Sequence, residues 1–132
     1  MRNKQTGFTL IETMIAVAVL AIIVSIAFSG YTDQVQKSRR ADGKAVLLDI
    51  SQQLERCYTK FGSYNHASCT AADKASESNY YAGAITSTGA STYSLTATAQ
   101  NGQEKDTECG NLTLDQSGLQ GISGTGDAED CW

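Results

Sequence analysis

The chain has 132 residues, with 10 Lys+Arg against 14 Asp+Glu, a formal charge of −4, four Cys and no Pro. Such a length holds one small domain with a modest core, and an acidic balance does not draw phosphate backbones by bulk field, although a local basic patch still can. His66 is the only histidine and sits near no nucleophile pattern; with no metal-ligand constellation and no phosphate-cradling Gly loop (the Gly-rich stretch Gly118 to Gly126 is expected to lack a following helix), the sequence predicts no enzyme, no catalytic residue, no metal and no cofactor.

The chain opens on Gly7-Phe8-Thr9-Leu10-Ile11-Glu12 and an apolar run. From Phe8 to Phe28 the only charged residue is Glu12. At about 1.5 Å per residue this run makes a helix of about 31 Å, the thickness of a bilayer's hydrocarbon core. A carboxylate in such a span costs about 2.5–3.5 kcal/mol at the centre and less towards the interface, so it marks function and has a partner. An ordinary anchor oriented by Arg2 and Lys4 is one reading. A secretory signal ending at Ala27-Phe28-Ser29 is another, but its apolar stretch is usually only about 7–15 residues.

Arg2 to Glu12 resembles the class III leader and mature start of a type IV prepilin: a short basic leader ending in Gly7, then Phe8, with Glu at the fifth mature position. The resemblance implies cleavage after Gly7 by a prepilin peptidase and N-methylation of Phe8. It also implies that Glu12 meets the Phe8 amine of a neighbouring subunit, because a buried carboxylate is tolerated only when paired. An unmatched slip would leave two unpaired charges in an apolar bundle, so the pair would set axial register. Cleavage would remove Arg2 and Lys4 and leave roughly 95 residues beyond the apolar segment for the exported domain. The implied division is 1–7 leader, 8–34 membrane and assembly helix, and 35–132 globular domain.

Ser29-Gly30 weakens the helix locally, Gly costing about 1 kcal/mol relative to Ala. Many major pilins carry a helix-distorting Pro near here and this chain does not. From Val35 to about Tyr58 a helical period returns. Leu47, Ile50, Leu54, Tyr58 and Phe61 form one apolar face, opposite Asp42, Asp49, Gln52, Glu55 and Arg56. Lys37, Arg39, Arg40 and Lys44 are the only basic cluster, read as a solvated neck above the membrane in preference to a nucleic-acid patch.

Phe61-Gly62-Ser63-Tyr64 ends the helix, and Asn65 to Asn79 is expected to be a polar loop in which His66 is solvated. Tyr80 to Ile85, Thr92 to Ala99, Gly110 to Asp115 and Leu119 to Ile122 are the strand candidates. Thr92 to Ala99 alternates best, with Tyr93, Leu95, Ala97 and Ala99 on one face. Asn101-Gly102 and Ser117-Gly118 mark turns, the first opening an acidic loop through Glu108. The predicted class is α+β: a long N-terminal helix packed on a small antiparallel sheet. All four Cys lie beyond the apolar run. An exported domain predicts two disulfides with three connectivities open. Cys57–Cys69 with Cys109–Cys131 is preferred, since each closes one loop between neighbouring elements, at about 3 kcal/mol apiece.

Lys37 to Ala45, Leu54 to Tyr58, Tyr93 to Ala99, Cys109 to Asp115 and Cys131-Trp132 together resemble the PilE/ComP group of minor type IV pilins. Trp132 reads as a sheet-covering residue. The resemblance implies a minor structural subunit that assembles with other pilins and supports twitching motility and adhesion. It would sit in the inner membrane with its domain in the periplasm, then in the extracellular filament. The alternatives are a DNA-uptake receptor or a type II secretion pseudopilin. DNA is not favoured as a partner, because duplex recognition needs Lys/Arg phosphate contacts and the stretches Glu104 to Glu108 and Asp127 to Asp130 are acidic.

Overall fold

The structure is a computed structural model that describes residues 7–69 and 73–132. The leader residues Arg2 and Lys4 lie outside the described residues. The chain divides into two units, Met1–Val35 and Gln36–Trp132. Helix α1, Leu10–Phe61, contributes to both.

In the first unit, α1 begins on a side-chain cap. Thr9 Oγ1 accepts the Glu12 N–H at 3.3 Å, which places Thr9 at the N-cap and Glu12 three residues on, the spacing of a capping box. Thr13 and Ser25 turn their hydroxyls back onto the carbonyls of Leu10 and Ile22. These two hydroxyls thereby find partners within the helix itself. Every large apolar side chain from Phe8 to Phe28 is at least half exposed. The helix is long and apolar enough to cross a membrane, and its backbone is helical through Ser29-Gly30.

In the second unit, the later part of α1 packs on a five-stranded antiparallel sheet in the order β1-β2-β3-β4-β5. The strands are β1 Lys74–Ala75, β2 Tyr81–Thr88, β3 Tyr93–Ala99, β4 Leu112–Asp115 and β5 Gln120–Ile122. Val46, Leu47, Ile50 and Leu54 of the helix bury against Tyr81, Leu95, Ala97, Leu112 and Leu114. Side chains alternate across a strand with period two, so Tyr93, Leu95 and Ala97 face the helix while Ser94 and Thr96 do not. Helix and sheet approach closely because both lack a Cβ at their crossing: one added at Gly43 would lie 2.8 Å from the Tyr81 ring, and one at Gly83 would lie 2.9 Å from Ile50 Cδ1.

Several expectations need correction. Tyr58 and Phe61 continue the apolar period but are 38% and 36% exposed. They stack instead on neighbours in the following loop, Tyr58 on Tyr64 and Phe61 on His66. The expected loop Asn65 to Asn79 contains β1, which has only two exposed residues and so no readable pattern. The first long strand begins at Tyr81 and reaches Thr88, with a register shift between Ile85 and Ser87. A short helix α2, Ala128–Cys131, does follow the Gly-rich stretch, but one turn offers no phosphate cradle.

Candidate functional site

Two regions hold the residues singled out in the sequence. In the first unit these are Gly7, Phe8 and Glu12, at the start of the uncovered apolar helix. Among the described residues the Glu12 carboxylate has no ion-pair partner. Its backbone N–H is satisfied by Thr9.

In the second unit the basic cluster is not the solvated neck the sequence suggested. Arg40 is 4% exposed and forks onto Asp106, with Nε to Oδ2 at 2.6 Å and one Nη to Oδ1 at 2.8 Å. The same nitrogen reaches Glu108 at 2.8 Å. Burial pushes the Asp106 carboxyl up, but hydrogen bonds from Arg40 and from the Cys109 N–H outweigh it and hold the group below the usual carboxylate range. The Arg40 guanidinium is correspondingly raised. Gln103, also buried, donates to Tyr81 Oη and to Asp106. Arg39 lies over the Tyr80 ring at 4.0 Å, a cation–π contact. Lys44 donates to the Trp132 carbonyl at 2.7 Å, and burial together with Arg40 lowers its ammonium pKa. Only Lys37 of the cluster remains exposed without an ion pair among the described residues.

These contacts escaped the sequence reading for a physical reason. Arg40 and Asp106 lie 66 positions apart, and a charged residue on a helix gives no local sign that its partner comes from a distant loop. Asp106, Glu108 and Cys109 bring ligand-type atoms within 4.8 Å of one another. The Cys109 sulfur, however, is bonded to Cys131 and both carboxylates hold Arg40, so the group serves the fold.

Cys57 is bonded to Cys69 and Cys109 to Cys131. The first bond ties the end of α1 to the loop after it. The second ties α2 to the segment before β4, and Trp132 then donates its indole N–H to the Gly121 carbonyl on β5. That contact covers the end of an edge strand, which otherwise offers unpaired backbone groups. Beside the first disulfide a groove of about 250 Å³ is lined by Arg56, Lys60 and Phe61.

Residues 2–28 match the prokaryotic N-terminal methylation motif. Residues 29–113, more than half of the chain, match the family described as type IV minor pilin ComP, DNA uptake sequence receptor. The chain belongs to that family. Among curated relatives, a fimbrial protein of Moraxella nonliquefaciens is 36% identical over 62 residues, covering 42% of this chain and 40% of the relative. The type IV major fimbrial protein FimA of Dichelobacter nodosus is 44% identical over 43 residues, 33% of this chain and 27% of the relative. The chain thus aligns with less than half the length of these relatives. A type IV pilin from Shewanella oneidensis superposes with a TM-score of 0.53 at 31% identity, covering 74% of this chain and 97% of that one. The non-core minor pilin PilV of Neisseria meningitidis gives a TM-score of 0.56 at 19% identity, covering 71% and 92%, and so shares the fold. These similarities are all to pilus proteins, and this minor pilin is a structural protein rather than an enzyme.

Proposed function

We propose that this minor pilin is cleaved after Gly7 by a prepilin peptidase, methylated on Phe8, held in the inner membrane with its globular part in the periplasm, and then packed with other pilins into an extracellular filament. One observation carries the reading: an apolar helix whose large side chains from Phe8 to Phe28 are all at least half exposed, with a single carboxylate, Glu12. All-round apolar helices are stable only inside lipid or among other helices. Cleavage creates a cationic amine at Phe8, and Glu12 of an adjacent subunit is its counter-charge in an apolar bundle, where an unpaired carboxylate is costly. The two disulfides suit an oxidising compartment. Through assembly the subunit supports twitching motility and surface attachment.

The test is Glu12→Ala in cells. Leader cleavage continues, while the amount of the subunit in sheared pili falls several-fold. Wild-type amounts in the sheared fraction would defeat the pairing account.

A second reading, reception of DNA during uptake, is favoured by the family's description. Charge weighs against it, since Arg40, Lys44 and Lys74 are each engaged with a carboxylate or carbonyl within the protein. Duplex binding rests first on free Lys/Arg at phosphates. Binding of the detergent-solubilised chain to duplex DNA at low and high salt, with unrelated duplexes as competitors, decides between the two. Tight, sequence-dependent binding makes it a receptor, and no binding at low salt leaves the filament subunit.

A further inference from the structure

Arg56 and Lys60 differ from the other cations of the second unit. They stand one helical turn apart on α1, line the same groove, and make no ion pair among the described residues. Lys60 Nζ lies 5.1 Å from the centre of the Phe61 ring. That ring stacks on His66 at 4.1 Å and 2°. The groove therefore presents two cations without a salt bridge beside the Phe61 ring, against a disulfide that fixes the loop opposite them.

The complementary charge lies elsewhere on the same unit. Asp127, Glu129 and Asp130 of the α2 turn are exposed and make no ion pair among the described residues. This turn is fixed beside Lys44, which holds the Trp132 carbonyl, and by the Cys109–Cys131 bond. From Lys44 to Arg56 and Lys60 is about 18–24 Å along the helix, at roughly 1.5 Å per residue. The two patches do not meet within one chain.

We propose that the Arg56–Lys60 groove receives the acidic α2 turn of a second copy of this chain, displaced by that length along the α1 axis. Such a contact joins two different surfaces. It is heterologous, the kind that propagates an open array instead of closing a two-fold dimer. Asp127, Glu129 and Asp130 supply the anions, and the Phe61 edge gives the turn an apolar rest.

The test uses the full chain in detergent micelles, which cover Phe8 to Phe28, with self-association followed by sedimentation. Association weakens about five- to tenfold on raising salt and by a similar factor in Arg56→Glu/Lys60→Glu, the effect of two exposed ion pairs. Asp127→Lys/Glu129→Lys/Asp130→Lys shows the same loss, and mixing the two reversed proteins restores association. Arg56→Gln/Lys60→Gln, at exposed helix positions, gives an intermediate loss. Unchanged association in the groove variants overturns the contact, as does failure of the mixture to recover. Loss of duplex DNA binding with association intact also overturns it and gives the groove to a nucleic acid. Because micelles replace the filament, failure here leaves incorporation through Glu12 standing, and failure of the Glu12 test leaves this contact standing.

Discussion

Replacing Arg40 by Met tests how the loop before β4 is held on the helix. Asp106 would lose bonds at 2.6 and 2.8 Å and keep those from Gln103 at 3.0 Å and the Cys109 N–H at 3.2 Å. Its side chain is 1% exposed, whereas that of Glu108 is 62% exposed and rehydrates freely. The cost therefore falls on Asp106. Leaving one partner of a buried pair uncompensated costs about 3–5 kcal/mol. A domain of this size has a total stability of about 5–14 kcal/mol. Urea unfolding of the detergent-solubilised chain, followed by the fluorescence of the single Trp132, measures it. With a slope of about 1–2 kcal/mol per molar urea, the midpoint falls by about 1.5–5 M. Asp106 in the wild type has a depressed pKa, so its contribution is present above the ordinary carboxylate value of about 3.9 and is lost as pH falls through the folded value. In Arg40→Met the orphaned carboxyl takes up a proton more readily, and the deficit shrinks as pH falls towards 4. A midpoint shift under about 0.5 M at pH 7, or a deficit that does not change with pH, would refute a clamp by this pair.

Alkali acts through Tyr64, whose pKa is pushed up to about 12 by burial and by its hydrogen bond to Glu55. The stability this gives is complete below the unfolded value of about 10 and is lost as pH rises through the folded one. Tyr64→Phe lessens the fall of urea stability between pH 10 and 12, and an unchanged slope would contradict the linkage. Cys109→Ser/Cys131→Ser frees α2 and lowers stability by about 3 kcal/mol, seen as an earlier Trp132 transition. The oxidised wild type runs faster on a gel than the reduced chain, and four free thiols in exported protein would contradict both disulfides. Gly43→Ala places a methyl against the Tyr81 ring and costs about 1–3 kcal/mol by overpacking. A neutral result in urea would mean that helix and sheet separate without penalty.

Regular patterns made the architecture legible. The alternation of Tyr93, Leu95 and Ala97 and the spacing of Leu47, Ile50 and Leu54 each repeat over several residues, and their buried faces meet in the core. Tyr58 and Phe61 kept the helical period but stack on loop residues, Tyr64 and His66, a fact that periodicity does not contain. β1 was invisible because two residues have no period, and α2 because one turn has almost none. The fate of the basic cluster was the largest loss. Clustering in sequence suggested one surface, yet Arg39 turns to an aromatic ring, Arg40 into a buried fork and Lys44 to the Trp132 carbonyl. Each partner comes from a different later segment, so no window of sequence holds both halves of a contact.

That redistribution bears on what the globular part can bind. Formal charge counts every lysine and arginine as available, but a cation that already holds a carboxylate or carbonyl must surrender that bond before it meets a ligand. Arg40 is the extreme case, since freeing it would strand Asp106 in the core. A phosphate competing for Arg40 would have to exceed a buried, two-point carboxylate bond, and an exposed ion pair contributes only about 0–1 kcal/mol. Among the described residues the cations that hold no carboxylate or carbonyl are thus Lys37, Arg39, Arg56, Lys60 and Lys105; Arg39 lies over the Tyr80 ring and Lys105 stands between Glu104 and Asp106. Only Arg56 and Lys60 share a groove. Two neighbouring cations suffice for an acidic turn of a protein neighbour. They are few for a duplex, whose specific binding typically engages several phosphates, and this difference in number makes a filament contact the better use of the surface.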